Sequence, residues 1–350
     1  MNRNISRNVY KKLFVLLLSF ALFSCSSSKI TEQNMNRYTR HDLSGKTSLP
    51  AMEDTAQTFA EALKSAQEAE QKGDLDKALY YYIQTLQFEP ENALVLVKIA
   101  MIHQLRGNNV IAVRAYTEAL VSAPDLLLAH QGLGIIQMHS RQYKEAKVHL
   151  LQAISLDQKR LKALGKSNKN GYYVLDNHSP VKSYDALAII EDMNRNFDLA
   201  RIYYNLVLNE DQNNAMVLSN IGYSYYLTGE LAVAERYFRR AINADPQLKR
   251  AWTNLGLVFV RKGQYNKAVK TLKQVMKEFD AYNDLGYLVM LDGYLDDAEY
   301  FFKKAIDMSP MYFEKAHANL EQVQIKKREL WLLQQEAHGD AIVAPETVLK

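Results

Sequence analysis

The chain has almost no cysteine. Cys25 is the single one in 350 residues, so no disulfide can form within the chain and a framework of bridges is excluded. A strong charge of one sign is missing too. The formal net charge is +4, and Arg3, Arg7, Lys11 and Lys12 crowd at the start; without them nothing supports binding to nucleic acid. There is no Gly-rich phosphate loop, and the eight histidines offer no HExxH and no pair at metal-ligand spacing. No nucleophile stands beside a base in a recognisable constellation. These absences argue against an enzyme and leave no cofactor or metal to expect. Long apolar runs are scarce as well. The one near the start, Leu13 to Phe23 broken by Ser19, is shorter than the ~20 residues a membrane-spanning helix needs.

What is present is a schedule. Ala78, Ala112 and Ala146 lie 34 residues apart, Ala200, Ala234 and Ala268 do so again, and Ala298 follows after 30. With each of these as position 20 of a repeat, position 8 is Ala66, Ala100, Gly134, Ala188, Gly222, Gly256 and Gly286. All are small, as two antiparallel helices require where they pack closest. Position 24 supplies bulk: Tyr82, Tyr116, Leu150, Tyr204, Phe238, Leu272 and Phe302. A glycine marks the turn between the helices in five repeats, and Arg141 and Arg195 replace it in the other two. Pro90, Pro124, Pro246 and Pro310 end second helices, which proline cannot continue.

These columns resemble the tetratricopeptide repeat (TPR) over about residues 59–312. The resemblance implies an all-α fold: a right-handed TPR superhelix, or α-solenoid, of about seven helix–turn–helix repeats plus a C-terminal capping helix. Repeats one to three occupy 56–160 and repeats four to seven 181–312. The step from Ala146 to Ala200 is 20 residues too long, which places an insert at 161–180, rich in turn-forming residues, where the array would divide into two lobes. Helical spacing of Phe313, Ala316, Leu320, Val323, Leu330 and Leu333 makes 313–338 the cap, with Lys326-Lys327-Arg328 a solvated face. Residues 339–350 read as a disordered tail.

In this architecture the first helix of each repeat lines a groove through positions 2, 5, 9, 12 and 13. The residues expected there are Met101, Ile135, Met138, Ile189, Tyr223, Tyr226, Leu257, Tyr287 and Met290, with Val97, Ser219, Val260 and Asn283 among their neighbours. Such a surface receives a helix or an extended peptide. The family's carboxylate clamp would fall on Asp185, Ile189, Asn220, Arg250 and Asn254. Asp185 has the wrong sign and Ile189 cannot hydrogen-bond, so capture of a free C-terminus is not expected.

The basic start and the Leu13–Phe23 run fit a secretory signal peptide, residues 1–24. Leu22-Phe23-Ser24-Cys25 resembles a bacterial lipobox. That resemblance implies cleavage before Cys25 and acylation of it, with 25–55 a polar tether reaching on the order of 30 Å. Ser26 after the lipid cysteine implies the outer membrane, with the array facing the periplasm. A lipobox followed by a TPR array is similar to the TPR lipoproteins of pilus and secretion machines, above all the TadD type of the tight-adherence (Flp) pilus. Asn220-Ile221-Gly222-Tyr223-Ser224-Tyr225-Tyr226 and Tyr282-Asn283-Asp284-Leu285-Gly286-Tyr287 carry that likeness. It implies binding of protein or peptide segments of such a complex. An adaptor for envelope proteases or peptidoglycan hydrolases, and a type IV pilus pilotin, remain alternatives.

Overall fold

The computed structural model of the chain describes residues 56–169 and 171–338; the signal segment, the 25–55 tether with Cys25, and the 339–350 tail lie outside the described residues. Fifteen described helices follow in consecutive pairs. They are α1 (Phe59–Gln71) with α2 (Leu75–Phe88), α3 (Ala93–Leu105) with α4 (Asn109–Ser122), and α5 (Leu127–His139) with α6 (Tyr143–Ala163). Next come α7 (Val181–Met193) with α8 (Phe197–Glu210), α9 (Ala215–Thr228) with α10 (Leu231–Ala244), and α11 (Lys249–Arg261) with α12 (Tyr265–Leu272). The series closes with α13 (Glu278–Leu291), α14 (Leu295–Met308) and the long α15 (Glu314–His338). Among the described residues the fold is all-α apart from two two-residue strands.

Local chemistry sets the helix ends. The side chains of Thr58, Asp74 and Asn92 each accept a backbone N–H of the helix they open, satisfying donors that have no partner within the helix. The turns between paired helices need a left-handed residue. Arg141 (φ 61°) and Arg195 (φ 65°) adopt that conformation where the other repeats have glycine, at a cost of about 1–2 kcal/mol for an L-residue. The four-residue deletion before Ala298 is absorbed by α12, which stops at its packing residue Leu272.

Every alanine at position 20 has no exposed surface, and every side chain at position 24 is at most 1% exposed. Position 24 uses two chemistries. Tyr82 donates to Glu70, Tyr116 to Gln104 Oε1 (2.9 Å) and Tyr204 to Asp192 Oδ2 (3.0 Å). Each acceptor is position 12 of the same repeat. Where position 24 is Phe or Leu, position 12 is Met138, Tyr226, Val260 or Met290. A buried hydroxyl needs an acceptor and an apolar ring does not, so the two columns change together.

The described chain forms two compact units, 56–220 and 221–338, with the division inside α9 rather than at the 161–180 segment. That segment is built into the first unit. Its first three residues extend α6, and an antiparallel hairpin pairs β1 (Asn168–Lys169) with β2 (Tyr172–Tyr173). Gln158 of α6 accepts from Tyr173 N (2.7 Å) and donates to Tyr173 O (3.2 Å), extending the hairpin's bonding. Arg160 grips Asp176 with two bonds of 2.9 and 2.7 Å and also holds the buried Asp157. These bonds hold the Asp176 carboxyl far below the usual carboxylate range. Tyr172 and Tyr203 join hydroxyls at 3.0 Å. In the second unit Lys327 is no free solvated charge: it bonds Asp296 (2.6 Å) and Glu299 (2.7 Å) and pins α15 to α14.

Candidate functional site

The candidate site is the outward face of the first helices, which pack side by side within each unit, α3 on α5 and α5 on α7 in one, α11 on α13 and α13 on α15 in the other. At 3.6 residues per turn, positions 2 and 13 lie within roughly 40° of position 9 on one side, while positions 5 and 12 lie roughly 40–60° to the other. The second group leans onto the next repeat. Asn220 of α9 donates to Asp185 Oδ1 (2.9 Å), Asn319 of α15 to Asn283 Oδ1 (2.9 Å), and Arg261 of α11 to the Tyr226 carbonyl (2.9 Å). The donors come from the following first helix each time.

That geometry sorts the expected groove residues. Position 9 remains open: Met101 is exposed, and Ile135, Ile189, Tyr223, Leu257 and Tyr287 are half-buried, as is Met138 at position 12. Tyr226 and Met290, expected at the surface, are buried at 3% and 4% exposure, and Val97, Ser219, Val260 and Asn283 are buried with them. They occupy positions 5 and 12, on the leaning side. Asn220, one of the two residues of clamp type, donates to Asp185 inside the first unit.

In the first unit, positions 2 and 13 extend the open position-9 face with residues not named in the expected set. Leu94, Met101 and Leu105 run along α3 at 63%, 38% and 75% exposure. Leu128 on α5 and Met193 on α7 continue it. Their signal was the frame itself: large aliphatic residues at i, i+7 and i+11 of one helix share a face.

In the second unit the face is aromatic and cationic. Tyr223 stacks on Tyr226 with centroids 5.8 Å apart, and the Arg261 guanidinium lies over the Tyr226 ring at 4.7 Å. Asp292, at the end of α13, is close enough to feel Arg261. Burial pushes the Asp292 carboxyl up, the arginine opposing it, and pushes the Tyr226 hydroxyl well above its ordinary value.

No group of three or more His, Cys, Asp or Glu side chains among the described residues is placed to hold a metal. The histidines do form one close pair, contrary to the sequence reading: His130 and His149 bring Nδ1 atoms to 3.0 Å, and His130 Nε2 donates to the Pro124 carbonyl (2.8 Å). His130 Nδ1 therefore accepts from His149, which spends the lone pair a metal would need. They lie 19 residues apart on α5 and α6, a separation that no short motif reports.

Helix pairs stacked through small residues, with a face of first helices left open, define the class: this is the tetratricopeptide fold. Residues 219–279 and 253–311 each match the family profile described as tetratricopeptide repeat. No curated protein matches the chain. Among solved structures, the chain is similar to a tetratricopeptide repeat protein from Parabacteroides merdae, at 14% identity and a TM-score of 0.51, over 77% of this chain and 100% of that one. The Cut9–Hcn1 hetero-tetramer of the APC/C is matched at 14% identity and a TM-score of 0.50, over 76% and 51%. PilW, titled a widely conserved type IV pilus biogenesis factor, is matched at 16% identity and a TM-score of 0.43, over 76% and 99%. At these identities the likeness concerns the fold alone.

Proposed function

We propose that the chain is a non-enzymatic scaffold that binds protein partners through the open faces of its first helices. The fold is generally a protein-interaction module, and one observation carries the reading to this chain. Leu94, Met101, Leu105, Leu128 and Met193 stand exposed on the first helices α3, α5 and α7, which pack side by side. Contiguous apolar surface of that kind marks an interaction site. The lipobox-like Leu22–Cys25 stretch adds a lipid on Cys25, anchorage in the outer membrane and a periplasmic array. Together with the TadD-like motifs it points to assembly or localisation of a pilus or secretion complex.

The test is capture of envelope proteins by the lipidated chain, with Leu94→Asp/Leu105→Asp and Tyr223→Ala/Tyr287→Ala as variants and circular dichroism to show folding. Buried central anchors contribute about 2 kcal/mol or more each on truncation, so one double variant abolishes capture. Undiminished capture by both folded variants overturns the reading. Recovery of pilus or secretin subunits supports the assembly role, and recovery of cell-wall hydrolases replaces it with the adaptor. Cys25→Ser releases the protein from membranes and abolishes palmitate labelling; an unchanged membrane fraction removes the anchor from the proposal.

A further inference from the structure

The C-terminal unit has a cation built into its open face. Along α11, Leu257 at position 9 is followed one turn later by Arg261 at position 13, so the two side chains share a face. The corresponding residues of α9 and α13 are Leu227 and Leu291, and in the first unit position 13 is Leu105, His139 or Met193. Arg261 is thus the one arginine or lysine at this position from α3 onward.

Arg261 is exposed, yet it is held at two points. One Nη1–H bonds the Tyr226 carbonyl at 2.9 Å, and the guanidinium carbon lies over the Tyr226 ring, 4.7 Å from its centroid. Tyr226 is itself buried and stacked on Tyr223. An arginine restrained in this way has lost most of its rotamer freedom before any ligand arrives. A guanidinium carries five N–H donors, and most of these stay unused. Among the described residues Arg261 makes no ion pair. Asp292 interacts with it at longer range, without a hydrogen bond or ion pair. Helix capping accounts for one of the donors, but not for a fixed fork with further donors beside Leu257.

We infer that the C-terminal face binds a peptide segment in which an aspartate or glutamate is flanked by apolar side chains, the carboxylate seated on Arg261 and the apolar residues on Tyr223, Leu257 and Tyr287. Charge complementarity selects this occupant. A planar fork with paired donors matches a carboxylate bidentately, and its surroundings are apolar and aromatic on three successive helices. A basic segment is repelled, and a purely apolar one leaves the guanidinium unpaired beneath it. The inference rests on the reading of the first-helix faces as partner-binding surfaces.

The experiment selects binders from a random twelve-residue peptide library displayed on phage, using the full chain as bait, and compares wild type with Arg261→Gln, Arg261→Glu and Tyr223→Ala/Tyr287→Ala. Wild type enriches peptides carrying Asp or Glu next to Leu, Phe or Tyr. A fluorescein-labelled enriched peptide then binds Arg261→Gln about ten-fold more weakly, the scale of a charge-assisted hydrogen bond. Arg261→Glu shifts the enrichment toward Lys and Arg. A misfolded variant cannot produce that inversion, so folding loss and loss of the contact are told apart. Peptides that depend on the two tyrosines but show no acidic preference overturn this inference and leave the groove intact. Enrichment indifferent to the tyrosines, or no enrichment, overturns both for this unit.

Discussion

The two units solve one packing problem with different chemistry. In residues 56–220 three of the four repeats close the contact between paired helices with a tyrosine hydroxyl on a position-12 acceptor: Tyr82 on Glu70, Tyr116 on Gln104 and Tyr204 on Asp192. In residues 221–338 the same places hold Phe238, Leu272 and Phe302 against Tyr226, Val260 and Met290, with no such bond. The open faces differ as well, aliphatic in the first unit and aromatic with a fixed arginine in the second. A hydrogen-bonded ring is held in one orientation, whereas an apolar side chain can shift to relieve crowding. The first unit is therefore the less forgiving of the two.

The sharpest test sets Gly132→Ala against Gly256→Ala. A Cβ on Gly132 would lie 2.2–2.6 Å from the Tyr116 ring, whose hydroxyl is tied to Gln104. A Cβ on Gly256 would meet the tip of Leu272 at 2.9 Å. Urea denaturation should show a loss of about 3 kcal/mol for the first, at the upper end of overpacking costs. The second stays within about 1 kcal/mol of wild type, since alanine's better helix propensity offsets a small shift. Equal losses would break the distinction between pinned and yielding columns. Gly256→Leu is larger than Leu272 can accommodate and costs about 1–3 kcal/mol or more.

A smaller effect comes from exchanging the two chemistries. Tyr204→Phe removes the hydroxyl from a buried Asp192 and costs about 1–3 kcal/mol. Phe238→Tyr places a hydroxyl opposite Tyr226, where no carboxylate or amide stands at position 12, and costs a similar amount. Thermal melts that show either variant as stable as wild type would mean that the paired columns are not coupled.

The smallest effect is a slope. Burial raises the Asp292 carboxyl above its ordinary value in the folded state, so that state holds its proton more tightly than the unfolded chain. Its contribution to stability is fully present below the unfolded value and is lost as pH rises through the folded one. Asp292→Asn should flatten stability against pH in the weakly acidic range just above the ordinary carboxylate value. Parallel curves for wild type and variant would remove Asp292 from the Arg261 site as a titrating group.

Columns 8, 20 and 24 were legible because close helix packing demands side chains of one size at each, and size is printed in the sequence. Which first-helix residues face outward was legible only in part. Positions 9 and 12 differ by a modest rotation, and the tilt of the next repeat, a tertiary property, decides that Tyr226 is buried and Tyr223 is not. The link between positions 12 and 24 was available, since Glu, Gln and Asp accompany tyrosine, but it needs two columns read together. The Asn168–Tyr173 hairpin left no strand pattern, because side-chain bonds from Gln158 hold so short a pair. Arg261 was not among the residues expected on the face, because its hold on Tyr226 comes from the preceding first helix, a tertiary contact.

The clasp at residues 161–180 bears on mechanics. In an array whose contacts run only between neighbours, tension unravels one hairpin after another. Here Arg160–Asp176, Gln158–Tyr173 and Tyr172–Tyr203 fold a loop of extra chain against the stack. Drawn out at ~3.4 Å per residue, some 20 residues amount to a reserve of about 70 Å. A molecule held at one end and loaded at the other would gain part of that length when the clasp opens. The first unit thus carries slack that lengthens it before its helices are lost.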